Sequence, residues 1–135
     1  MPILVLDDDA AIRVLHAKVL GRAGHEVDTG DNGDAGWKAL QAKQYDLLIT
    51  DNDMPKMSGE ELIQKIRSES MVLPIILATG SPPTTVEPLQ LAAVLLKPFT
   101  AEQLLDTVKE VLQGRRPPEK PLSEPPASSA MTANE

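Results

Sequence analysis

Four short apolar runs in this chain each end in a polar residue. Ile3-Leu4-Val5-Leu6 leads into Asp7-Asp8-Asp9, and Leu47-Leu48-Ile49-Thr50 into Asp51-Asn52-Asp53. Ile75-Ile76-Leu77-Ala78 leads into Thr79, and Val94-Leu95-Leu96 into Lys97. Strand-sized runs that alternate with segments of helical period are the signature of βαβ units and a parallel sheet. In such a sheet all four polar endings gather at the carboxyl edge, where open α/β folds bind their ligands. The pattern predicts strands near 3–7, 26–29, 46–51, 74–78 and 93–96. It predicts helices near 10–22, 33–43, 59–68, roughly 85–91, and 101–113.

The last helix has the clearest apolar stripe. Leu104, Leu105, Val108, Val111 and Leu112 share one face, with Glu102, Asp106 and Glu110 largely off it. Thr100 is the expected N-cap with Gln103 at the capping-box position, and Gly114 the expected stop. In the first helix, Ile12, Leu15 and Val19 stand at i, i+3 and i+7. Pro82, Pro83 and Pro88 crowd the fourth helical segment, and proline is tolerated only in a helix's first turn. That helix is therefore expected to be short. Residues 114–135 carry Pro117, Pro118, Pro121, Pro125 and Pro126 but only one large aliphatic residue, Leu122. Such a segment buries too little apolar surface to offset its ordering entropy. The expected organisation is one domain over 1–113 and a disordered tail over 114–135.

Composition removes several classes of function. The chain has 135 residues and no cysteine, which excludes disulfides, thiolate metal sites and a cysteine nucleophile. No apolar run approaches the roughly 18–20 residues that span a bilayer, and no secretory signal is evident, so cytoplasmic residence without membrane contact is expected. A net charge of −7 argues against direct nucleic-acid binding, which needs a basic patch. A basic partner or a metal ion is the natural complement.

The acids Asp7, Asp8, Asp9, Asp51 and Asp53 would lie at or near one strand edge. Two like charges about 4 Å apart repel by roughly 1 kcal/mol in water and by about 4 kcal/mol at an effective dielectric of 20. A hard dication relieves that repulsion, and oxygen donors without His or Cys favour Mg²⁺ or Mn²⁺ over zinc or copper. Asp9 reads more simply as the cap of the helix beginning at Ala10. Lys97, pinned between a strand and Pro98, can neutralise part of the acidic charge and bind a phosphoryl oxygen as a point cation. Thr79, with Gly80 leaving its hydroxyl open to approach, suits a hydrogen bond to the same group.

These residues match a known pattern. Leu6-Asp7-Asp8, the Asp51-x-x-Met54-Pro55-x-x-x-Gly59 motif, Thr79-Gly80 and Lys97-Pro98-Phe99 follow one another in order, each after its own strand. Over about residues 2–113 the chain resembles the receiver domain of two-component response regulators. The resemblance implies a flavodoxin-like, doubly wound, five-stranded parallel sheet of order 2-1-3-4-5. It implies Asp51 as phosphoacceptor, Asp8 as a direct Mg²⁺ ligand with Asp7 assisting, and the Asp53 backbone carbonyl as a further ligand. Lys97 would pair with a phosphoryl oxygen, Thr79 would move to bond the phosphoryl group, and Lys97-Pro98 would be cis. The implied partners are a histidine kinase or phosphotransfer protein and a downstream protein target. Such modules are signalling phosphoacceptors that lose the phosphoryl group slowly by themselves, not enzymes.

Two departures stand out. The family usually has Tyr or Phe three residues before the lysine, and here that position is Val94. The acid Asp53 stands where many relatives are neutral, which would repel the incoming phosphoryl group and draw the metal more tightly. Trp37 is assigned to packing, and His16 and His25 to structural or exposed positions. The chain is read as a small intact protein, with a receiver excised from a hybrid kinase or larger regulator as the alternative. A haloacid-dehalogenase-type phosphatase also uses Asp-x-Asp, a hydroxyl and a Lys with Mg²⁺. It needs a further acidic pair after the lysine, whereas here the acids at 7–8 precede it.

Overall fold

The computed structural model describes residues 1–81 and 90–114. Five parallel strands, β1 (Pro2–Leu6), β2 (Glu26–Gly30), β3 (Leu47–Asp51), β4 (Ile75–Thr79) and β5 (Ala93–Leu96), form one sheet of order β2-β1-β3-β4-β5. Helices α1 (Ala10–Arg22), α2 (Gly33–Ala42), α3 (Gly59–Ser68) and α4 (Ala101–Leu112) accompany them among the described residues. The parallel sheet is the one expected from the apolar runs, and its doubly wound, flavodoxin-like order is the one the resemblance implies. Most of the predicted helix near 85–91, and with it the expected shortening, lies outside the described residues. Gln90 forms a turn with φ 53° and Leu91 is irregular, so neither continues a helix. The segment 115–135, assigned above to a tail, also lies outside.

Strand alternation builds two cores. Leu4, Leu6, Leu48, Ile75 and Leu77 point to one face and pack with Leu62, Ile63 and Ile66 of α3 and Leu40 of α2. Ile3, Val5, Leu47, Ile49 and Ile76 point to the other and pack with Leu20 of α1 and Leu104, Val108 and Val111 of α4. Successive side chains of a strand face opposite ways, so a run such as Ile3-Leu4-Val5-Leu6 feeds both layers. The edge strand β2 is more polar. Its Asp28 accepts hydrogen bonds from the Tyr45 hydroxyl at 2.7 Å and the Lys43 ammonium at 3.0 Å, a charged cluster of the kind that discourages edge pairing. Burial, with Asp28 adding to it, pushes the Tyr45 phenol up to about 12.

Helix ends follow their caps. Asp9 accepts from the backbone N–H of Ala11 and Ile12, Ser58 and Glu61 form a capping box on α3, and Thr100 and Gln103 form one on α4. Gly114 follows α4 with φ 78°, a left-handed conformation that costs glycine little. The stripe on α1 differs from the expected one. His16 and Leu20 are buried while Leu15 is 55% exposed. The His16 ring stacks on Phe99 at 5.3 Å between centroids and so occupies a core-facing position that a search for aliphatic residues passes over.

Candidate functional site: an acidic cluster at the carboxyl edge

The register aligns the strand ends. Leu6 pairs with Thr50, Asp51 with Ala78, and Thr79 with Leu96, so the next residues of β1 and β5, Asp7 and Lys97, emerge beside Asp51 and Thr79. The Lys97 Nζ donates to Asp51 Oδ1 at 2.9 Å and stands 3.6 Å from Asp7 Oδ2. Asp7 and Asp51 are nearly inaccessible, at 2% and 4% exposure, whereas Asp8 is exposed on the rim. One carboxylate oxygen from each of Asp7, Asp8 and Asp51 lies within 4.8 Å of the others. Three oxygen donors that close, with no imidazole or thiolate among them, fit a hard divalent cation.

The charges in this cluster are unevenly served. Burial pushes the Asp51 carboxyl above the ordinary aspartate range; the neighbouring Asp7 charge adds to the rise, and Lys97 only partly opposes it. Burial alone would lower the Lys97 ammonium, but Asp51 and Asp7 together hold it above its usual value. The ammonium gains from two anionic partners, whereas for Asp51 burial outweighs what the single ammonium returns.

Asp53 has an exposed side chain, but its backbone N–H donates to the Asp51 carboxylate. Thr79 is buried, and its hydroxyl donates to the Ser81 carbonyl at 2.9 Å while accepting from the Ser81 N–H at 3.1 Å. The Lys97 N–H donates to the Thr79 carbonyl at 2.9 Å, tying β5 to β4 at the edge. The Lys97-Pro98 bond is cis. Asp9 caps α1 and lies outside the carboxylate cluster. Gly59 sits so near that an added Cβ would come 2.5 Å from the Asp51 carbonyl, so α3 reaches the site only because that residue is glycine.

Several supporting residues were not visible in the sequence. The Arg13 guanidinium donates to the Asp7 carbonyl at 2.9 Å, and its position one turn into α1 is the signal that would have found it. The His16–Phe99 stack buttresses the turn that carries Lys97; burial lowers the His16 imidazole, and nearby Asp7 and Lys97 act in opposite senses. Asn52 and Glu60 bond to each other across eight residues, a spacing with no periodic signature.

Comparison with known proteins agrees with this geometry. Residues 3–109 match the model of the response regulator receiver domain. The chain is 38% identical over 120 residues to the DNA-binding transcriptional regulator NtrC of Azospirillum brasilense, covering 86% of this chain and 25% of that protein. It is 34% identical to the chemotaxis protein CheY1 of Helicobacter pylori, covering 83% of this chain and 97% of CheY1. The structure of the chemotaxis response regulator CheY4 of Vibrio cholerae superimposes with a TM-score of 0.74 at 31% identity, covering 82% of this chain and 97% of that one. The chain thus spans about a quarter of NtrC but nearly all of CheY1. It belongs to the response regulator receiver domain family, the signalling module of two-component systems. Among the described residues no helix is long and apolar enough to cross a membrane.

Proposed function

We propose that this receiver accepts a phosphoryl group on Asp51 from the phosphohistidine of a histidine kinase or phosphotransfer protein, or from a small acyl phosphate. The observation that carries the reading is the Lys97 ammonium, 2.9 Å from Asp51 Oδ1 inside a cluster of three carboxylates. An Asp51 oxygen attacks phosphorus as the bond from phosphorus to the imidazole nitrogen breaks, and the nitrogen keeps the electron pair. Lys97 follows the charge onto a phosphoryl oxygen, a role for which its raised affinity for the proton suits it. The Thr79 hydroxyl exchanges the Ser81 carbonyl for a phosphoryl oxygen. The carboxylates of Asp7, Asp8 and Asp51 and the backbone carbonyl of Asp53 are the donors for Mg²⁺, with Mn²⁺ as a substitute. A bound Mg²⁺ supplies positive charge that offsets the carboxylates and the transferring group.

The product is an aspartyl phosphate that water removes slowly, so the domain signals rather than turns over substrate. Its output runs through contacts with another protein, with no direct role for nucleic acid or membrane, in the cytoplasm, and the unit that does this is residues 1–113. The same chemistry serves a receiver within a longer regulator, a possibility in keeping with the partial overlap with NtrC. With Val94 where relatives carry an aromatic ring, readout depends on Thr79 and its loop. Acetyl phosphate with Mg²⁺ is expected to add one phosphoryl group by intact mass, and none in EDTA or in Asp51→Asn. Undiminished labelling of that variant overturns the assignment.

A further inference from the structure

The structure assigns Asn52 as a positioning residue for the acidic cluster, acting through a reciprocal pair with Glu60; this rests on the metal-dependent reading proposed above. Asn52 stands between Asp51 and Asp53, and four hydrogen bonds hold it. Its N–H donates to the Ala78 carbonyl at 3.2 Å, and its carbonyl accepts from the Gly59 N–H at 3.0 Å. Its side-chain oxygen accepts from the Glu60 N–H at 3.0 Å, and its side-chain nitrogen donates to Glu60 Oε2 at 3.2 Å. One residue thereby fastens the end of β3 to β4 on one side and to the first turn of α3 on the other. The loop between Asn52 and Gly59 leaves and returns at the same residue. The Asn52–Asp53 peptide is thereby held, and its N–H, coplanar with the Asn52 carbonyl that Gly59 engages, is aimed at the Asp51 carboxylate, one of the donors for the metal.

An amide is the side chain this position requires. It must accept from a backbone N–H and donate to a carboxylate at once, which Asn does and Asp does not. An aspartate there would set a second carboxylate against Glu60. Outer partners of this kind commonly cost about 10–100-fold in metal affinity when removed.

The test is Mn²⁺ binding, followed by loss of the free-ion electron paramagnetic resonance signal, with the phosphorylation rate in acetyl phosphate and Mg²⁺ as a second readout. Asn52→Asp is expected to weaken Mn²⁺ binding about tenfold or more, and Asn52→Leu, which adds no charge, to do the same. Glu60→Gln keeps an acceptor for Asn52 and is expected to bind as the wild type does. In Asn52→Asp/Glu60→Gln the new amide donates to the new carboxylate and the net charge is that of the wild type. That double variant is expected to recover affinity to within about threefold, which a generic loss of folding would not allow. Wild-type affinity in both Asn52 variants, or a double variant as weak as Asn52→Asp, overturns the assignment of Asn52. A wild type that takes up no Mn²⁺ at millimolar concentrations overturns the metal reading itself and this inference with it; the wild-type titration alone tells the two failures apart.

Discussion

Lys97 stands between two buried carboxylates, and one ammonium does not satisfy both, so the Asp51 charge remains costly in the metal-free fold. Asp51→Asn removes that charge while leaving an oxygen for Lys97. It is expected to raise Tm at neutral pH by roughly 4 °C, the shift that about 1 kcal/mol makes in a domain a little over 100 residues long. The sign with pH follows from the raised carboxyl: the folded state binds the proton more tightly than the unfolded chain. The penalty is therefore absent below the unfolded value near 3.8 and complete above the folded one, so the gain from Asp51→Asn shrinks as pH falls toward 4. His16 works the other way. Its lowered imidazole contributes stability above the unfolded value of 6.5, and that contribution is lost as pH falls through the folded value. Thermal scans of His16→Phe between pH 7.5 and 5 are expected to show a flatter decline than the wild type. Asp51 and Thr79 were legible because each ends a strand, and Asp7, Asp8 and Lys97 because they closely follow one. Asn52 and Glu60 were not, because their bonds depend on how a loop folds back, which no periodicity encodes.

At the level of elements, the strands and helix ends were legible because their signals are local. Thr100 and Gln103 fix the start of α4 by satisfying each other's neighbouring N–H groups, and Thr100→Ala is expected to cost about 1 kcal/mol in urea unfolding without altering acetyl phosphate labelling. Gly59→Ala is the contrasting case. Its methyl group would meet the Asp51 carbonyl at 2.5 Å and Asn52 Cα at 3.0 Å, both backbone atoms that cannot swing aside. Overpacking of this kind costs about 1–3 kcal/mol, and because the strain falls on the phosphoacceptor strand, labelling is expected to fall with stability. Helix α1 shows where local pattern misled. Ile12, Leu15 and Val19 make an apolar stripe on paper, but the inward face is set by His16, whose ring finds Phe99 some eighty residues later in the chain. Partnership at that distance is a property of the assembled fold.

The whole molecule is a sheet with a core on each face and its unfavourable charge concentrated at one edge. That layout couples the site to global stability. A cation that binds only the folded chain stabilises it by about 2.7 kcal/mol when present at 100 times its dissociation constant. Mg²⁺ is therefore expected to raise Tm in proportion to the logarithm of its concentration. The rise should vanish with EDTA and be much reduced in Asp8→Asn, whose exposed carboxylate can be removed without disturbing the core. The sheet order was legible only through the resemblance to receiver domains, because four polar strand ends at one edge require a parallel sheet but no particular order. The central claim is that Asp51 is the residue that carries the phosphoryl group, and it can be read chemically. Borohydride reduction of the protein after treatment with acetyl phosphate and Mg²⁺ converts an aspartyl phosphate to homoserine, which peptide mass spectrometry locates. Homoserine at position 51 alone is the predicted result; homoserine at 7, 8 or 53, or none in a protein that has taken up phosphate, contradicts the account.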